Sequence, residues 1–382
     1  MVRLFNSRLT FTRFLAEYWQ QKPLLLRGAF ADLTPPLTAD ELAGLACETG
    51  SNARLVLEHC GDRRWCVEYG PFDERRFAEL PDSGWSLLVS DVERMVPEAR
   101  QLQQQFRFVP DWRLDDVMIS YAPAGGSVGA HTDAYDVFLL QLEGTRRWQI
   151  AEHFDTTVLD DTDLEILANF EAEQDWLLEP GDMLYLPPGA AHHGIAENAC
   201  MTCSIGFRAP SSHDMAPALL DHLLQQHGDR RYRDAGMSLP SHAAEISAQS
   251  LAQIRQLLQS VLHFDDTMLA DWFGRYISDS KSQFDQADEL FQETESIDTL
   301  LQDQPLAQIE QHPDCRFFFI RHTQGAQLFV NGEVFDISLV LAETLCADIH
   351  QPLKTLISTC QNEQDKACLL HCLKQQWLLL IP

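Results

Sequence analysis

The pattern of hydrophobic and polar positions divides the chain into two helical ends and a central β region. Near the N-terminus, FTRFLAEYWQQ and TADELAGLACETG carry apolar residues at helical spacing, and Thr38 or Asp40 is the expected N-cap of the second segment. From about residue 105 to residue 210, short runs such as VMISYA, YDVFLLQL and MTCSIGF are separated by Gly and Pro turns. This texture predicts a β-sandwich or a β-barrel.

Helical periodicity returns after FRAPSSHDM and fills most of residues 211–305. Six apolar residues of this segment share one helical stripe: Leu251, Ile254, Leu257, Leu258, Val261 and Leu262. The stripe is explained equally well by self-association of the protein and by ordinary packing of a helix hairpin within its own domain.

Residues 306–382 follow the order helix, hairpin, two helices and strand, which is typical of a winged helix. The hairpin alternates around Asn331-Gly332, a strong turn signal. The segment carries more acidic residues (Glu310, Asp314, Glu333, Asp336, Glu343, Asp348, Glu363, Asp365) than basic ones (Arg316, Arg321, Lys354, Lys366, Lys374). A wing that reads DNA needs the opposite balance, so we interpret this part as a protein-contact or structural module.

Composition changes the picture mainly through charge. Among 382 residues, 57 acidic residues against 28 basic ones give a formal net charge of -29. Nucleic-acid binders normally present a basic face, so the balance argues against a nucleic-acid partner and favours a basic protein. A purely solubilising role of the acidic surface is about equally compatible with the sequence.

Two further features indicate the cellular compartment. The N-terminus has no uninterrupted apolar stretch, and nowhere do eighteen consecutive apolar residues occur. The ten cysteines are scattered without framework spacing, so we expect them to be reduced thiols. We therefore predict a cytoplasmic protein without membrane contact.

Candidate chemistry begins at His131 and Asp133 in the segment GGSVGAHTDAYDVFLL. On a strand, side chains two residues apart leave the same face, which suits two ligands of one metal ion. The spacing alone is not decisive, because it occurs five times: at His131/Asp133, His153/Asp155, His227/Asp229, His263/Asp265 and His312/Asp314. The other four pairs lie in an acidic loop, in a turn or beside helical stripes, whereas His131 leads from a Gly-rich turn into an apolar strand.

A second histidine follows in the same β region, in GDMLYLPPGAAHHG. Two histidines and one carboxylate form the facial triad of non-haem Fe(II) oxygenases, which leaves coordination positions open. Adjacent strand residues point to opposite faces, so only one of His192 and His193 can reach the metal. Periodicity does not say which.

The segments PLLLRGAF, HTDAYDVF, EPGDMLYLPPG and IGFRAP resemble those of the bacterial ribosomal oxygenases, which are cupin-like JmjC-domain hydroxylases. The resemblance covers essentially the whole chain. It implies an α+β protein with a double-stranded β-helix (JmjC/cupin jelly roll) core, a helical dimerisation region and a C-terminal winged-helix-like domain. The corresponding bounds are 1–210, 211–305 and 306–382. It also implies His192 as the third ligand of Fe(II), beside His131 and Asp133.

The resemblance further implies 2-oxoglutarate as co-substrate and molecular oxygen as oxidant. The distal carboxylate of 2-oxoglutarate needs a cation, and a guanidinium can grip a carboxylate with two hydrogen bonds. Arg146 and Arg147 are the candidates, and on a strand only one of them points inward. The position of the family's basic residue, fifteen after the first ligand, corresponds to Arg146.

In the bacterial family the substrate is an arginine of a basic large-subunit ribosomal protein, the sixteenth, hydroxylated at the β carbon. Histidine hydroxylation, another JmjC-type oxygenation and a non-catalytic cupin binding module are the alternatives. Candidate substrate-binding residues are Asp116 and Ser120, which share one face of DDVMISY, and Tyr135 and Asp136, which follow the ligand pair.

Overall fold

The computed structural model divides into two compact units, Met1–Ala209 and Pro210–Pro382. It describes residues 4–160, 162–280 and 296–381. Each unit has its own hydrophobic core, and the candidate chemistry lies in the first unit.

Strands dominate the described residues of the first unit, and its short α-helices all lie before residue 105, among the first strands. The strands are β1 (Leu24–Leu26), β2 (Asn52–Cys60), β3 (Arg63–Tyr69), β4 (Trp85–Ser90), β5 (Leu114–Ala122), β6 (Val137–Glu143), β7 (Arg146–Ala151), β8 (Gln174–Leu178), β9 (Met183–Leu186), β10 (Ala191–Ala196) and β11 (Cys200–Phe207). The helices are α1 (Phe11–Glu17), α2 (Ala39–Cys47), α3 (Glu74–Ala78) and α4 (Pro97–Gln104). Thr38 caps α2, and Glu41 completes a capping box with it.

Two antiparallel sheets form the β core. The large sheet has the order β1-β9-β6-β11-β5-β4-β2-β3, and the small sheet has the order β10-β7-β8. β11 lies between β6 and β5, and all eight of its residues are buried. A strand covered on both faces reads as a continuous hydrophobic run, which is why CMTCSIGF shows no polar face to water.

Alternation along β6 places its side chains in two different cores. Val137 and Leu139 pack with Trp148 of β7 and residues of β8 and β9, so this cluster fills the space between the two sheets. Phe138 and Leu140 point to the other side of the large sheet, into an aromatic cluster shared with the N-terminal helices. The inner space between the sheets is where the candidate site lies.

Helices and two small sheets make up the described residues of the second unit. The helices are α5 (Ser212–His227), α6 (Ala248–Gln259), α7 (Asp266–Ser278), α8 (Ile297–Asp303), α9 (Leu339–Ala347), α10 (Leu353–Thr359) and α11 (Glu363–Lys374). The strands are β12 (Gln308–Gln311), β13 (Phe317–His322), β14 (Gly325–Val330), β15 (Glu333–Ile337), β16 (His350–Pro352) and β17 (Leu378–Ile381). Within the described residues, no helix combines the length and the apolar character needed to span a bilayer.

The predicted hairpin around Asn331-Gly332 joins β14 to β15, and Val330 pairs with Glu333. Both turn residues have positive φ, 48° for Asn331 and 80° for Gly332. A two-residue turn of this kind matches the twist of its strands and favours Asn-Gly. β13, β14 and β15 form one three-stranded sheet, and β16, β12 and β17 form the other.

One expectation about the cysteines is wrong. Cys60 and Cys66 form a disulfide across the hairpin of β2 and β3, with their Cα atoms 6.3 Å apart. That separation lies within the range that a disulfide spans, although the two cysteines are not direct partners in the register of the hairpin. The other eight cysteines are free thiols, as expected.

Candidate active site

The two histidines of the candidate centre are neighbours because their backbones pair. His131 and His192 form an isolated antiparallel bridge. The amide of His131 donates to the carbonyl of His192 at 3.0 Å, and the reverse bond measures 2.9 Å. His192 lies on β10, so the bridge ties the loop after β5 to the small sheet. The two imidazole centroids are 4.2 Å apart.

Asp133 completes the group. Its carboxylate oxygens lie 3.9 Å from His131 Nε2 and 3.6 Å from His192 Nε2. One ligand atom from each residue falls within 4.8 Å of the others. Three ligands on one face of an ion at about 2.1 Å lie about 3 Å from one another, so the three side chains would have to draw closer to bind a common ion.

The imidazole orientations are set by the backbone. Nδ1 of His131 lies 3.1 Å from the carbonyl oxygen of Gly129, and Nδ1 of His192 lies 3.0 Å from that of Ala190. A carbonyl oxygen can only accept, so each Nδ1 carries the proton and each Nε2 presents a lone pair to the centre. This tautomer is the one in which Nε2 binds a metal.

The electrostatics of the site favour neutral imidazole. Burial, reinforced by the neighbouring His131, lowers the pKa of His192 to about 3. Burial raises the pKa of Asp133, and His131, a hydrogen bond from Tyr135 and the charge of Arg54 partly oppose that rise. A divalent cation reverses the effect of burial on Asp133, because it stabilises the carboxylate.

The aspartates of two other H-x-D pairs have structural roles. Asp155 accepts hydrogen bonds from Thr157 and Asn169, and Asp265 caps α7. Across the residues that the structure describes, His131, Asp133 and His192 are the one group of at least three His, Cys, Asp or Glu side chains that could hold a metal ion. Context within the sequence therefore selected the pair that the fold places beside a second histidine.

A cavity of about 300 Å³ opens beside the triad between the two sheets. Arg146 of β7 lines it and is 3% exposed. Its Nη2 donates to the carbonyl of Gly194 at 3.3 Å, whereas Nε and Nη1 have no hydrogen-bond partner among the described residues. The guanidinium lies 5.2 Å from the Trp148 ring, and burial lowers its pKa. Arg147 points outward and pairs with Asp175 and Glu197.

Gly194 makes room for that guanidinium. A Cβ at this position would lie 2.7 Å from Arg146 Nε and from the Trp148 ring. The glycine two residues after His192 is therefore required by close packing around a buried cation.

Two family models match the chain, a JmjC domain over residues 101–215 and a ROXA-like winged helix over residues 254–379. Ribosomal protein uL16 3-hydroxylase of Escherichia coli (strain K12) is 35% identical over 336 residues, covering 87% of this chain and 87% of that protein. A probable ribosomal oxygenase of Haemophilus influenzae is 32% identical, covering 87% and 84%. The chain belongs to the JmjC-domain ribosomal oxygenase family. The predicted family, fold class and oxygenase activity are thus confirmed.

Solved structures agree with this ribosomal oxygenase throughout its length. The X-ray structure of Escherichia coli YcfD matches with a TM-score of 0.85 and 30% identity, over 99% of this chain and 100% of that one. Another structure of that protein, described as a complex with cobalt and 2-oxoglutarate, matches with a TM-score of 0.81 and 30% identity, over 98% and 99%.

The residues of this ribosomal oxygenase fit a divalent iron ion and a dicarboxylate. Two imidazoles and one carboxylate are the donor set that non-haem Fe(II) takes, and they leave positions open for other ligands. The unpaired nitrogens of Arg146 supply the cation that a carboxylate in the same cavity requires.

Three of the four candidate substrate-binding residues line the cavity, and the fourth does not. Asp116, Ser120 and Tyr135 are on its wall. Asp136 is fully buried elsewhere and accepts hydrogen bonds from Tyr185 at 2.6 Å and from Gln20 at 2.9 Å. Its place in the sequence explains the difference, since alternation puts it on the same face as Phe138, away from the cavity. The expectation for Asp136 is therefore corrected to a structural role.

The side chain of His193 points away from the cavity, as expected for the residue next to His192 on a strand. It lies on the face of β10 opposite to His192, and its ring packs 6.1 Å from that of Phe170. Burial and the nearby charge of Arg146 lower its pKa to about 4. It does not line the cavity.

Sequence reasoning missed several other lining residues. Thr202 and Ser204 of β11 face the cavity, and strict alternation along CMTCSIGF was a usable signal for them. Arg54 of β2 and Glu165, in the connection between β7 and β8, also line it. Contacts between segments distant in sequence bring those two residues to the cavity, and a local sequence pattern cannot predict such contacts.

Proposed function

We propose that this ribosomal oxygenase uses Fe(II), 2-oxoglutarate and oxygen to hydroxylate the β carbon of an arginine in ribosomal protein uL16. His131, Asp133 and His192 would hold the iron, and Arg146 would bind the distal carboxylate of 2-oxoglutarate. The observation that carries the proposal is the buried Arg146 guanidinium, whose Nε and Nη1 are unpaired in the same cavity as the triad. A buried cation in that state calls for an anionic ligand.

The bound iron and 2-oxoglutarate supply the oxidising chemistry, in which 2-oxoglutarate and oxygen become succinate and carbon dioxide and one oxygen atom enters a C–H bond. The chain supplies position and shelter. Tyr135 lines the cavity beside Asp133, and its phenol favours the ionised form of that carboxyl by lowering its pKa. Apolar residues on the wall, among them Val137, Leu139 and Trp148, keep bulk water from the reacting centre.

An arginine substrate is favoured by Asp116. Burial raises the pKa of this carboxyl to about 6, and Ser90 and the backbone of Asp91 partly oppose that rise. A guanidinium entering the cavity would stabilise the ionised carboxylate by a bidentate contact. Tyr135 and Ser120 line the same cavity and can contact the arginine stem or backbone.

The substrate protein is supported by similarity and by charge. A relative that is 35% identical is described as a ribosomal protein uL16 3-hydroxylase, and carbon 3 of an amino acid is its β carbon. The formal charge of -29 suits a basic partner, because opposite charges accelerate encounter.

The decisive experiment incubates recombinant uL16 with the enzyme, Fe(II), 2-oxoglutarate and air, and follows intact protein mass. We expect the gain of one oxygen atom, located by fragmentation on an arginine. Asp133→Ala should abolish this product, whereas Asp155→Ala, a matched aspartate of another H-x-D pair, should retain it. A hydroxyl found on histidine would redirect the substrate assignment, and no oxygen incorporation by wild type would contradict the proposal.

We also propose that the protein is a homodimer formed through α5 and α6. Large apolar side chains on these helices remain exposed, among them Leu220, Leu224, Leu251 and Leu258. Spacings of four and seven residues place each pair on one helix face. Sedimentation should show a dimer, and the double change Leu251→Glu and Leu258→Glu should produce monomers. Leu306→Glu, at an isolated exposed leucine, is the control and should leave the dimer intact.

Cytoplasmic location follows from the proposed substrate, since ribosomal proteins are made and assembled there in bacteria. We propose the division into 1–210, 211–305 and 306–382, with the last part serving protein contacts and binding no nucleic acid. The excess of acidic residues over basic ones after residue 306 supports that role.

A further inference from the structure

Part of the cavity mouth is formed by the connection between β7 and β8. We call its described residues, 152–160 and 162–173, the mouth loop. Leu164, Glu165 and Ile166 of this loop line the cavity. Ile166 is buried against Val56, Trp65 and Leu88, so the loop is packed on the large sheet. Glu165 is therefore an acidic residue carried on an apolar support.

The mouth loop is held in place on both sides. Asp163 pairs with Arg63 at 2.8 Å. The amide of Leu167 donates to the carbonyl of Ala130 at 2.8 Å, immediately before the ligand His131. These contacts fix Glu165 relative to the metal centre, because its two flanking positions are tied to the β2–β3 hairpin and to the ligand turn.

The Glu165 carboxylate is available to a ligand. Glu165 is exposed and makes no hydrogen bond or ion pair within the described part of the chain. Two other acidic residues of the mouth loop are engaged: Asp155 with Thr157 and Asn169, and Asp163 with Arg63. Glu165 thus differs from its neighbours in facing the cavity with an unused charge.

We infer that Glu165 is a specificity-determining residue that pairs with a lysine or arginine flanking the target arginine of the substrate. The inference rests on the proposed function and deepens it. With the target side chain inside the cavity and directed to Asp116, the substrate backbone must cross the mouth, where Glu165 lies. A cation next to the target then gains an ion pair, and an acidic residue there meets like-charge repulsion.

Synthetic peptides test this. All peptides of the set contain the same target arginine. They differ in having lysine, methionine or glutamate at one of the positions next to it. For the best lysine peptide, Glu165→Gln should lower kcat/KM about fivefold through KM, with kcat unchanged, as expected for an ion pair at the upper end of the exposed range. The methionine peptide should be turned over equally by both enzymes. Glu165→Lys should reverse the preference between the lysine and glutamate peptides.

The control is Asp160→Asn, because Asp160 is an exposed acidic residue of the mouth loop outside the cavity lining. It should leave every peptide unaffected. Equal losses on lysine and methionine peptides, or no loss with Glu165→Gln, would overturn the inference while leaving the proposed function standing. If wild type hydroxylates no arginine peptide or protein, the proposed function fails. Fluorescence anisotropy of the same peptides on Ni(II)-loaded protein still decides whether Glu165 selects a flanking cation.

Discussion

Replacing Arg146 by methionine should have opposite effects on ligand binding and on the stability of the free protein. A bidentate contact between a guanidinium and a carboxylate in a dry site contributes about 2–4 kcal/mol. The KM for 2-oxoglutarate should therefore rise about 30- to 900-fold. The Nε and Nη1 atoms of Arg146 are buried without partners, so without 2-oxoglutarate the charge costs stability.

Methionine fills much of the same volume and can keep the contact with Trp148. We expect the free energy of unfolding of the ligand-free variant to rise by about 2 kcal/mol, or about 4–8 °C in Tm for a unit of this size. Thermal melts with and without 2-oxoglutarate, on Ni(II)-loaded protein, measure both effects. Wild type should gain Tm from 2-oxoglutarate, and Arg146→Met should not.

Arg147→Met is the matched control, since Arg147 precedes Trp148 on the same strand and pairs with Asp175 and Glu197 at the surface. It should change KM little and stability by less than about 1 kcal/mol. The reasoning is refuted if Arg146→Met leaves KM for 2-oxoglutarate unchanged and lowers the Tm of the free protein. The guanidinium would then be a structural group.

Three further outcomes are expected. His192→Ala should remove Fe(II) binding measured by anaerobic titration, whereas His193→Ala should retain it; equal loss in both would contradict the alternation along β10. Burial raises the pKa of Glu93 to about 8 from 4.5, so the folded protein keeps a proton that the unfolded chain releases in between. The stability that this proton contributes is fully present below pH 4.5 and is lost as pH rises through 8. Glu93→Gln, whose side-chain oxygen can still accept from the Val117 amide, should therefore raise Tm at pH 9 and leave it unchanged at pH 4. A Tm difference independent of pH would exclude that role. Added salt should reduce kcat/KM on full-length uL16 much more than on a short arginine peptide, because the screening length falls from about 10 Å at 0.1 M to about 3 Å at 1 M. Salt profiles that coincide for protein and peptide would mean that the acidic surface serves solubility alone.

Periodicity predicted the parts of the site that lie on regular strands. Alternation left one inward arginine in TRRWQI and one inward histidine in AHHG, and the structure has Arg146 and His192 at the cavity. Family resemblance indicated which residue of each pair points inward. Alternation alone shows only that adjacent residues face opposite sides, and it does not say which side is the inner one. The same patterns predicted the strands between residues 105 and 210 and the hairpin around Asn331-Gly332, but they missed β1 to β4, which join the large sheet although they lie before the predicted β region.

The errors lie where the chain leaves regular structure or depends on distant contacts. Asp136 precedes β6, and its face was assigned by proximity to Asp133 instead of by the phase of the strand that follows. The disulfide between Cys60 and Cys66 joins two positions of the β2–β3 hairpin that are not register partners, which spacing along the sequence does not reveal. Glu165 reaches the cavity because Leu167 bonds to Ala130, a contact between segments with no shared pattern.

Both imidazoles of the candidate iron site are oriented by peptide carbonyls, each two residues before the histidine, and the two backbones are joined by a pair of amide hydrogen bonds. Every amino acid supplies the same carbonyl group, and every one except proline supplies the amide N–H, so most substitutions of the surrounding side chains leave these supports in place. Substrate choice can therefore drift, or be redesigned, by exchanging wall residues while the iron site persists. The residues that recognise the substrate can thus change in evolution without disturbing the backbone groups that orient the two histidines.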